Sequence, residues 1–265
     1  MNKIEGRSLQ LAYTDVGAGP AVVLLHGYPF NRSMWREQVD ELRGSYRVIA
    51  PDLRGHGESK VAPPPATMEE MAADVSTLLK TLNISRAVIG GLSMGGYVAL
   101  AFYRLFPERV RSLILADTRA QADTDEGKRN RAVQEEKALQ EGMGVIADSL
   151  LPKLLTVETI ANRPDIVKRL RDMMVKTAPE GAGAALQGMA QRRDQTSFLS
   201  RIISPTLIIV GREDSITPVA DAEMMHREMP GSRLEIVENA GHVSNMEQPT
   251  EFNRVLLKFL HDLGG

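Results

Sequence analysis

The residues of this chain with the clearest chemical potential lie in the pentapeptide Gly91-Leu92-Ser93-Met94-Gly95. It follows a short apolar run, Ala87-Val88-Ile89, and precedes a helix-like segment that stops at Pro107. Glycines around a sharp strand-to-helix turn leave room for a strained central residue whose side chain projects into a cleft. The pattern is typical of a nucleophile elbow, and Ser93 is the predicted nucleophile. A glycine-rich turn in which the serine only caps a helix is the structural alternative.

A serine hydroxyl needs a nearby imidazole to accept its proton and a carboxylate to orient that imidazole. His242 lies in Asn239-Ala240-Gly241-His242-Val243, a predicted loop after a strand at residues 234–237. The loop emerges at the same carboxyl edge of the sheet as Ser93, so His242 is the predicted base. The other histidines, which fall in helices or in loops before glycine and favour structural roles, are His26, His56, His226 and His261.

The predicted acid is Asp214. It follows a strand at residues 206–210 and gives the chain order Ser, Asp, His. Asp117, at the end of the preceding strand, and the adjacent Glu213 are alternatives. For each of these carboxylates, a turn or capping role is the structural alternative.

Acyl transfer also needs two N–H donors aimed at the oxygen that becomes negative in the transition state. The backbone N–H of Met94, directly after the nucleophile, is one predicted donor. The other is the N–H of Tyr28, in the loop at residues 26–30 after an apolar strand, where Gly27 allows close approach of the backbone. A plain strand-to-helix turn is the alternative for this loop.

Apolar runs alternate with helical periodicity along the chain, which predicts an α/β fold with a mostly parallel, doubly wound sheet. A capping box of Thr67 with Glu70 predicts a long amphipathic helix before Ser93. Strands are predicted at residues 9–13, 21–25, 47–50, 87–89, 110–116, 206–210 and 234–237, and later helices at residues 219–229 and 251–263.

Between Asp117 and Pro205 the chain shows helical periodicity but no convincing strand. We interpret residues 119–201 as a helical cap inserted after the sixth strand, and residues 1–118 and 202–265 as the core domain. Ligands of open α/β sheets bind beyond the carboxyl ends of the strands, so such a cap would cover the site. A scaffold extension without substrate contact is the alternative.

These motifs together resemble the α/β-hydrolase fold superfamily over almost the whole chain except the cap. The resemblance rests on the His26-Gly27 loop, the segment at residues 52–59, the elbow, Asp214 and Gly241-His242. In detail the chain is similar to the small bacterial esterases, enol-lactonases and cofactor-free haloperoxidases. The resemblance implies that Ser93, Asp214 and His242 form a triad and that Tyr28 and Met94 donate the oxyanion hydrogen bonds.

Composition excludes several other classes of function. At 265 residues and 43% hydrophobic content the chain suits one domain with an insertion, and a net charge of −2 without a basic stripe argues against nucleic acid. There is no cysteine, no phosphate-binding glycine motif and no metal-ligand motif, so we expect no cofactor and no metal. No segment reaches the roughly 18 apolar residues of a membrane span, and a cytoplasmic location is the default expectation.

The sequence therefore predicts a serine hydrolase that cleaves a small-molecule ester or lactone, and it is compatible with a homo-oligomer. Alternatives are an enol-lactonase for a dicarboxylate-derived lactone, a perhydrolase or haloperoxidase-like enzyme, and a small-molecule receptor on the same fold. An anionic lactone would need a cationic group in the cap. Arg192 and Arg193 are weak candidates for it, because a solvated helix face explains them as well.

Overall fold

The apolar runs of the sequence form one sheet in the computed structural model, which describes residues 2–5 and 10–264. Within those residues the sheet has eight strands in the order β1-β2-β4-β3-β5-β6-β7-β8. The pairs β1–β2 and β2–β4 are antiparallel and all the others are parallel. The strands are β1 Asn2–Glu5, β2 Gln10–Val16, β3 Ala21–Leu25, β4 Arg47–Pro51, β5 Ala87–Leu92, β6 Val110–Ala116, β7 Thr206–Gly211 and β8 Ser232–Val237.

The antiparallel edge of the sheet differs from the sequence prediction. The predicted edge strand at residues 9–13 corresponds to β2, which runs three residues further, to Val16. Leu9 lies outside the described residues. Strand β1 was not predicted, because its short polar sequence Asn-Lys-Ile-Glu has neither an apolar run nor a clear alternation.

Helices cover both faces of the sheet, as a doubly wound topology requires. The apolar side of α2 and α3 packs on one face with Val23 and Leu25 of β3, whereas α1 and α11 pack on the other with Val22 and Leu24. The helices are α1 Arg36–Leu42, α2 Met68–Thr81, α3 Met94–Leu105, α4 Asp125–Glu141, α5 Met143–Leu154, α6 Val157–Asn162, α7 Pro164–Val175, α8 Pro179–Ala190, α9 Val219–Glu228, α10 Ser244–Glu247 and α11 Pro249–Asp262.

The register of the parallel strands brings their carboxyl ends to one edge of the sheet. Leu25 pairs with Gly91, and Leu92 pairs with Ala116. On the other side, Ala116 pairs with Ile209, and Gly211 pairs with Val237. The loops that follow β3, β5, β6, β7 and β8 therefore begin side by side.

Helices α4 to α8 lie between β6 and β7, in the segment where the sequence predicts a cap. Helix α8 lies against the core through small residues. The N–H of Ala66, just before α2, donates to the carbonyl of Ala184 at 2.9 Å. A Cβ atom on Gly188 would lie 1.8 Å from the Ala66 carbonyl oxygen, and one on Gly181 would lie 2.0 Å from that of Gly55. Only glycine permits this approach of the two backbones.

We expect Gly188→Ala to lower the free energy of unfolding by about 1–3 kcal/mol, because the added methyl group forces α8 away from Ala66. Urea unfolding would measure the change. Gly44→Ala is the matched control, since a Cβ atom there meets nothing within 4 Å, and its effect should stay within about 1 kcal/mol. Equal effects of the two substitutions would contradict this account of how α8 docks.

Candidate active site

Ser93 sits in a strained turn between β5 and α3. Its φ of 54° and ψ of −114° fall in a region that residues other than glycine rarely adopt. A Cβ atom on Gly91 would lie 2.1 Å from the Gly95 carbonyl oxygen, and one on Gly95 would lie 2.2 Å from that of Leu25. The turn therefore has the tight geometry that the sequence predicts for a nucleophile elbow.

A chain of hydrogen bonds joins the three predicted catalytic side chains. The Oγ atom of Ser93 lies 2.8 Å from Nε2 of His242, and Nδ1 of His242 lies 2.8 Å from Oδ2 of Asp214. His242 and Asp214 are buried, while Ser93 keeps some exposed surface. This arrangement can move a proton from the serine hydroxyl to the imidazole while the carboxylate holds the ring.

Asp214 has further donors that favour its ionised form. Its Oδ1 accepts the N–H groups of Ile216 at 2.8 Å and Thr217 at 2.9 Å, and its Oδ2 accepts the Thr217 hydroxyl at 2.7 Å. Burial pushes the pKa of Asp214 upward, but the charge and hydrogen bond of His242 together with these donors hold it below its usual value. Sequence reasoning missed Thr217, although an aspartate three residues before a threonine is a common turn pattern.

Asp117 occupies a different position from the one required of the triad acid. Its Oδ1 accepts the Gly211 N–H at 2.8 Å, and its Oδ2 accepts the N–H of Ser244 at 3.2 Å and its hydroxyl at 2.6 Å. Burial, and then the charge of Asp214, raise the pKa of Asp117 well above its usual value. Asp117 thus connects the loops that carry Asp214 and His242, whereas the other alternative, Glu213, is exposed.

One predicted oxyanion donor, Met94, directly follows Ser93, and the other, Tyr28, lies in the loop after β3. Within residues 2–5 and 10–264, neither the N–H of Tyr28 nor that of Met94 donates to a protein acceptor. The loop of Tyr28 packs against the residue before Ser93, since a Cβ atom on Gly27 would lie 3.3 Å from the Leu92 carbonyl oxygen. Both N–H groups are therefore available for an oxygen bound beside Ser93.

Comparison with known proteins identifies the family. A family model of the alpha/beta hydrolase fold matches residues 20–249. The chain belongs to the α/β-hydrolase family. This confirms the family and the fold class predicted from the sequence, with a mostly parallel sheet and an insertion after the sixth strand. The sequence identifies five of the strands before the insertion, and the unpredicted β1 makes β6 the sixth.

Similar proteins include esterases and lactonases. A solved structure of a thermophilic esterase from Thermogutta terrifontis, with malate bound, is 42% identical with a TM-score of 0.96 and covers 100% of this chain and 99% of its own. The enol-lactonase structure from Burkholderia xenovorans is 31% identical with a TM-score of 0.92 and covers 98% of this hydrolase and 100% of its own chain. A 3-oxoadipate enol-lactonase from Acinetobacter baylyi is 31% identical over 96% of this chain and 94% of its own length.

The helices between β6 and β7 bond directly to the loop of the predicted base. The N–H of His242 donates to the Leu154 carbonyl at the end of α5, at 2.9 Å. The buried carboxylate of Glu247 accepts the N–H of Gly241 at 2.6 Å and that of Thr156 at 2.9 Å. Glu247, which sequence reasoning also missed, therefore fixes the His242 loop to the end of α5.

The two arginines proposed for an anionic substrate have other environments in the hydrolase. Arg192 is buried, with its guanidinium 2.8 Å from Asp123, bonded to the Gln121 and Met189 carbonyls and stacked on Tyr97 at 4.3 Å. The expectation that Arg192 lies on a solvated helix face is therefore wrong. Arg193 is solvated, with 74% of its side chain exposed, but it follows the end of α8 and lies in a loop rather than on a helix.

The described part of the hydrolase has neither a metal-binding cluster nor a membrane-spanning helix. No group of three or more histidine, cysteine, aspartate and glutamate side chains there is arranged to hold a metal ion. No helix in residues 2–5 and 10–264 has the length and apolar character needed to cross a membrane.

We expect Asp214→Asn to lower kcat/KM for an ester by about 10³- to 10⁴-fold, because the amide loses the charge that holds the imidazole in its reactive tautomer. Asp117→Asn keeps an acceptor for the Gly211 N–H and should lower it only about tenfold. Steady-state kinetics on a chromogenic ester would compare the two variants. A larger loss in Asp117→Asn would show that the acid is assigned wrongly.

His26 should make the stability of the fold depend on pH. Its Nε2 accepts the Leu53 N–H at 2.9 Å, and burial, with the nearby charge of Arg32, lowers its pKa from 6.5 to about 4. As the pH falls from 6.5 toward 4, the unfolded chain binds a proton that the folded chain does not, so stability is lost in that window. At pH 5 His26 lowers the free energy of unfolding by about 2 kcal/mol relative to neutral pH.

Urea unfolding of the wild type and of His26→Gln at pH 7.5 and pH 5 would measure this contribution. The variant should lose less stability on acidification than the wild type does. His261→Gln, at an exposed position, is the matched control and should keep the wild-type dependence. The same pH dependence in all three proteins would refute the role given to His26.

Proposed function

We propose that this hydrolase cleaves carboxylic esters or lactones through an acyl-enzyme on Ser93. The observation that carries the proposal is the hydrogen-bonded chain from Ser93 through His242 to Asp214. The esterases and enol-lactonases among its similar proteins support the same chemistry. The chain is accordingly a carboxylic ester hydrolase that acts on a small molecule.

The reaction follows from the positions of the side chains. His242 accepts the hydroxyl proton as Ser93 Oγ attacks the carbonyl carbon, and the N–H groups of Tyr28 and Met94 bind the resulting oxyanion. Protonated His242 then gives its proton to the departing alcohol oxygen, which leaves the acyl-enzyme. Water, activated by the same imidazole, releases the acid and restores Ser93. Asp214 stays ionised and stabilises the imidazolium throughout.

Esters and lactones share this sequence of steps, because a lactone is a cyclic ester whose alcohol stays attached to the acyl group after ring opening. We infer that helices α4 to α8 act as a cap over the site and that their inner side chains set the preference between substrates. Arg192 is bonded to Asp123 and Gln121, and the exposed Arg193 lies 3.9 Å from Glu69, so neither candidate is an unpaired cation for a dicarboxylate-derived lactone. A general esterase with lactonase activity is therefore the function that we favour.

We expect Ser93→Ala to lose labelling by a fluorophosphonate and to hydrolyse p-nitrophenyl butyrate about 10⁴- to 10⁶-fold more slowly, because the nucleophile is gone. Circular dichroism would show that the variant still folds. Ser85→Ala, at an exposed loop position, is the matched control and should keep both labelling and activity. Labelling or turnover retained by Ser93→Ala would refute the proposed nucleophile.

A further inference from the structure

Two buried polar atoms beside the predicted oxyanion loop have no hydrogen-bond partner in the protein. They are the hydroxyl oxygen of Tyr28 and Nε2 of His56. The two rings meet edge to face, with centroids 6.2 Å apart and planes at 82°. Buried polar atoms in native proteins are almost always hydrogen-bonded, so a neighbouring pair without partners points to a group that binds between them.

Tyr28 lies where the core meets the helices above it. Its ring packs against the main core and also against a small cluster that includes Met143 and Ile146 of α5. Tyr28 and Ser93 both keep exposed surface, although Gly27 and Met94 beside them are buried. Tyr28 is thus a residue of the predicted oxyanion loop whose side chain reaches the boundary with α5.

His56 approaches the same boundary from a different loop. The preceding residue, Gly55, is in backbone contact with Gly181 at the start of α8, where an added Cβ atom would lie 2.9 Å from the Gly181 Cα. His56 itself is fully buried, and its ring also contacts that of His26, with centroids 5.1 Å apart. The unpartnered Nε2 thus lies next to the contact between Gly55 of the core and Gly181 of α8, which we call the seam between core and cap.

The hydrogen-bonding character of each atom is fixed by its surroundings. Nδ1 of His56 lies 3.1 Å from the carbonyl oxygen of Arg54, which can only accept, so Nδ1 carries the hydrogen and Nε2 is an acceptor. Burial, and then His26, lower the pKa of His56 to about 3, and the ring is neutral near pH 7. Burial raises the pKa of Tyr28, so its hydroxyl remains a donor.

One donor and one acceptor on neighbouring rings match a neutral hydroxyl group, which accepts from Tyr28 and donates to His56. A carboxylate fits poorly, because its oxygen would face the lone pair of Nε2. Arg131 and Glu135 on α4 act on Tyr28 with opposite sign, so their charges partly cancel there.

We propose that Tyr28 and His56 form a binding site for a hydroxyl group on the acyl chain of the substrate, so that the enzyme prefers hydroxylated acyl esters. The inference rests on the proposed function, because it assumes that the acyl group is bound at Ser93. It adds a substrate class, the esters and lactones of hydroxy acids, to the chemistry of the triad.

The test compares kcat/KM for methyl hexanoate with that for the methyl esters of 3-, 5- and 6-hydroxyhexanoic acid, measured by proton release. The wild type should prefer at least one hydroxylated ester by about tenfold. Tyr28→Phe removes the donor, and His56→Asn removes Nε2 while leaving a donor for the Arg54 carbonyl. Each variant should abolish the preference, and the ratio of the two rates cancels any general loss of catalysis.

Tyr103→Phe is the matched control, since it deletes a hydroxyl that accepts the Ile203 N–H at 3.1 Å, away from the seam, and it should keep the wild-type ratio. If His56→Asn does not fold, Tyr28→Phe decides the question alone. A wild type without any hydroxyl preference, or a preference that survives in Tyr28→Phe, would overturn the inference but leave the esterase function standing. A wild type that hydrolyses none of the esters and resists fluorophosphonate would overturn both.

Discussion

The strained backbone of Ser93 is the constraint on which the rest of the site depends. Holding a residue other than glycine in such a conformation costs on the order of 1–3 kcal/mol, and the surroundings must supply that energy. The Ser93 N–H donates to the Ala116 carbonyl at 2.9 Å, and the Ser93 carbonyl accepts the Thr118 hydroxyl at 2.8 Å and the Gly96 N–H at 2.9 Å. The turn is thereby fixed to β6 and to the first turn of α3, and the hydroxyl keeps one direction.

Two buried carboxylates at neighbouring strand ends have different roles. Asp117 and Asp214 follow β6 and β7, and each raises the cost of ionising the other. Their pKa values differ because the two carboxyl groups have different partners. Asp214 faces His242 and the Thr217 hydroxyl, which favour its charge, whereas Asp117 accepts hydrogen bonds from the neutral groups of Gly211 and Ser244. The carboxylate beside the imidazole is therefore the one held ionised, while the other connects the two loops.

The sequence predicts the parts of this site that local pattern determines. Continuous apolar runs mark β3 and β7, and the glycines around Ser93 mark the turn, because both signals arise from neighbouring residues. Parallel strands then bring Asp214 and His242 to the edge where Ser93 lies. The comparison with known proteins confirms the fold and the class of enzyme, whereas the assignment of the site residues stays a prediction supported by geometry.

Contacts between distant segments carry no comparable signal. Nothing near Glu247 indicates that its carboxylate bonds Thr156, since that contact forms only when α5 meets the loop of His242. The sequence predicts a surface position for Arg192, because its partners Asp123 and Gln121 lie about 70 positions away along the chain. Strand β1 depends in the same way on its pairing with β2 rather than on its own sequence.

Helices α4 to α8 are bonded to the loops of the predicted catalytic residues, and this limits how substrate preference can change. The end of α5 bonds the backbone of His242 through Leu154, and the start of α8 packs on Gly55, beside His56. A shift of these helices as a unit would therefore disturb the loop of the predicted base at one end and the surroundings of His56 at the other. Packed interfaces resist such gradual displacement, because their contacts are lost at small separations. Substitution of individual side chains such as Tyr28 or Met143, over a fixed backbone, is the change in specificity that this architecture tolerates.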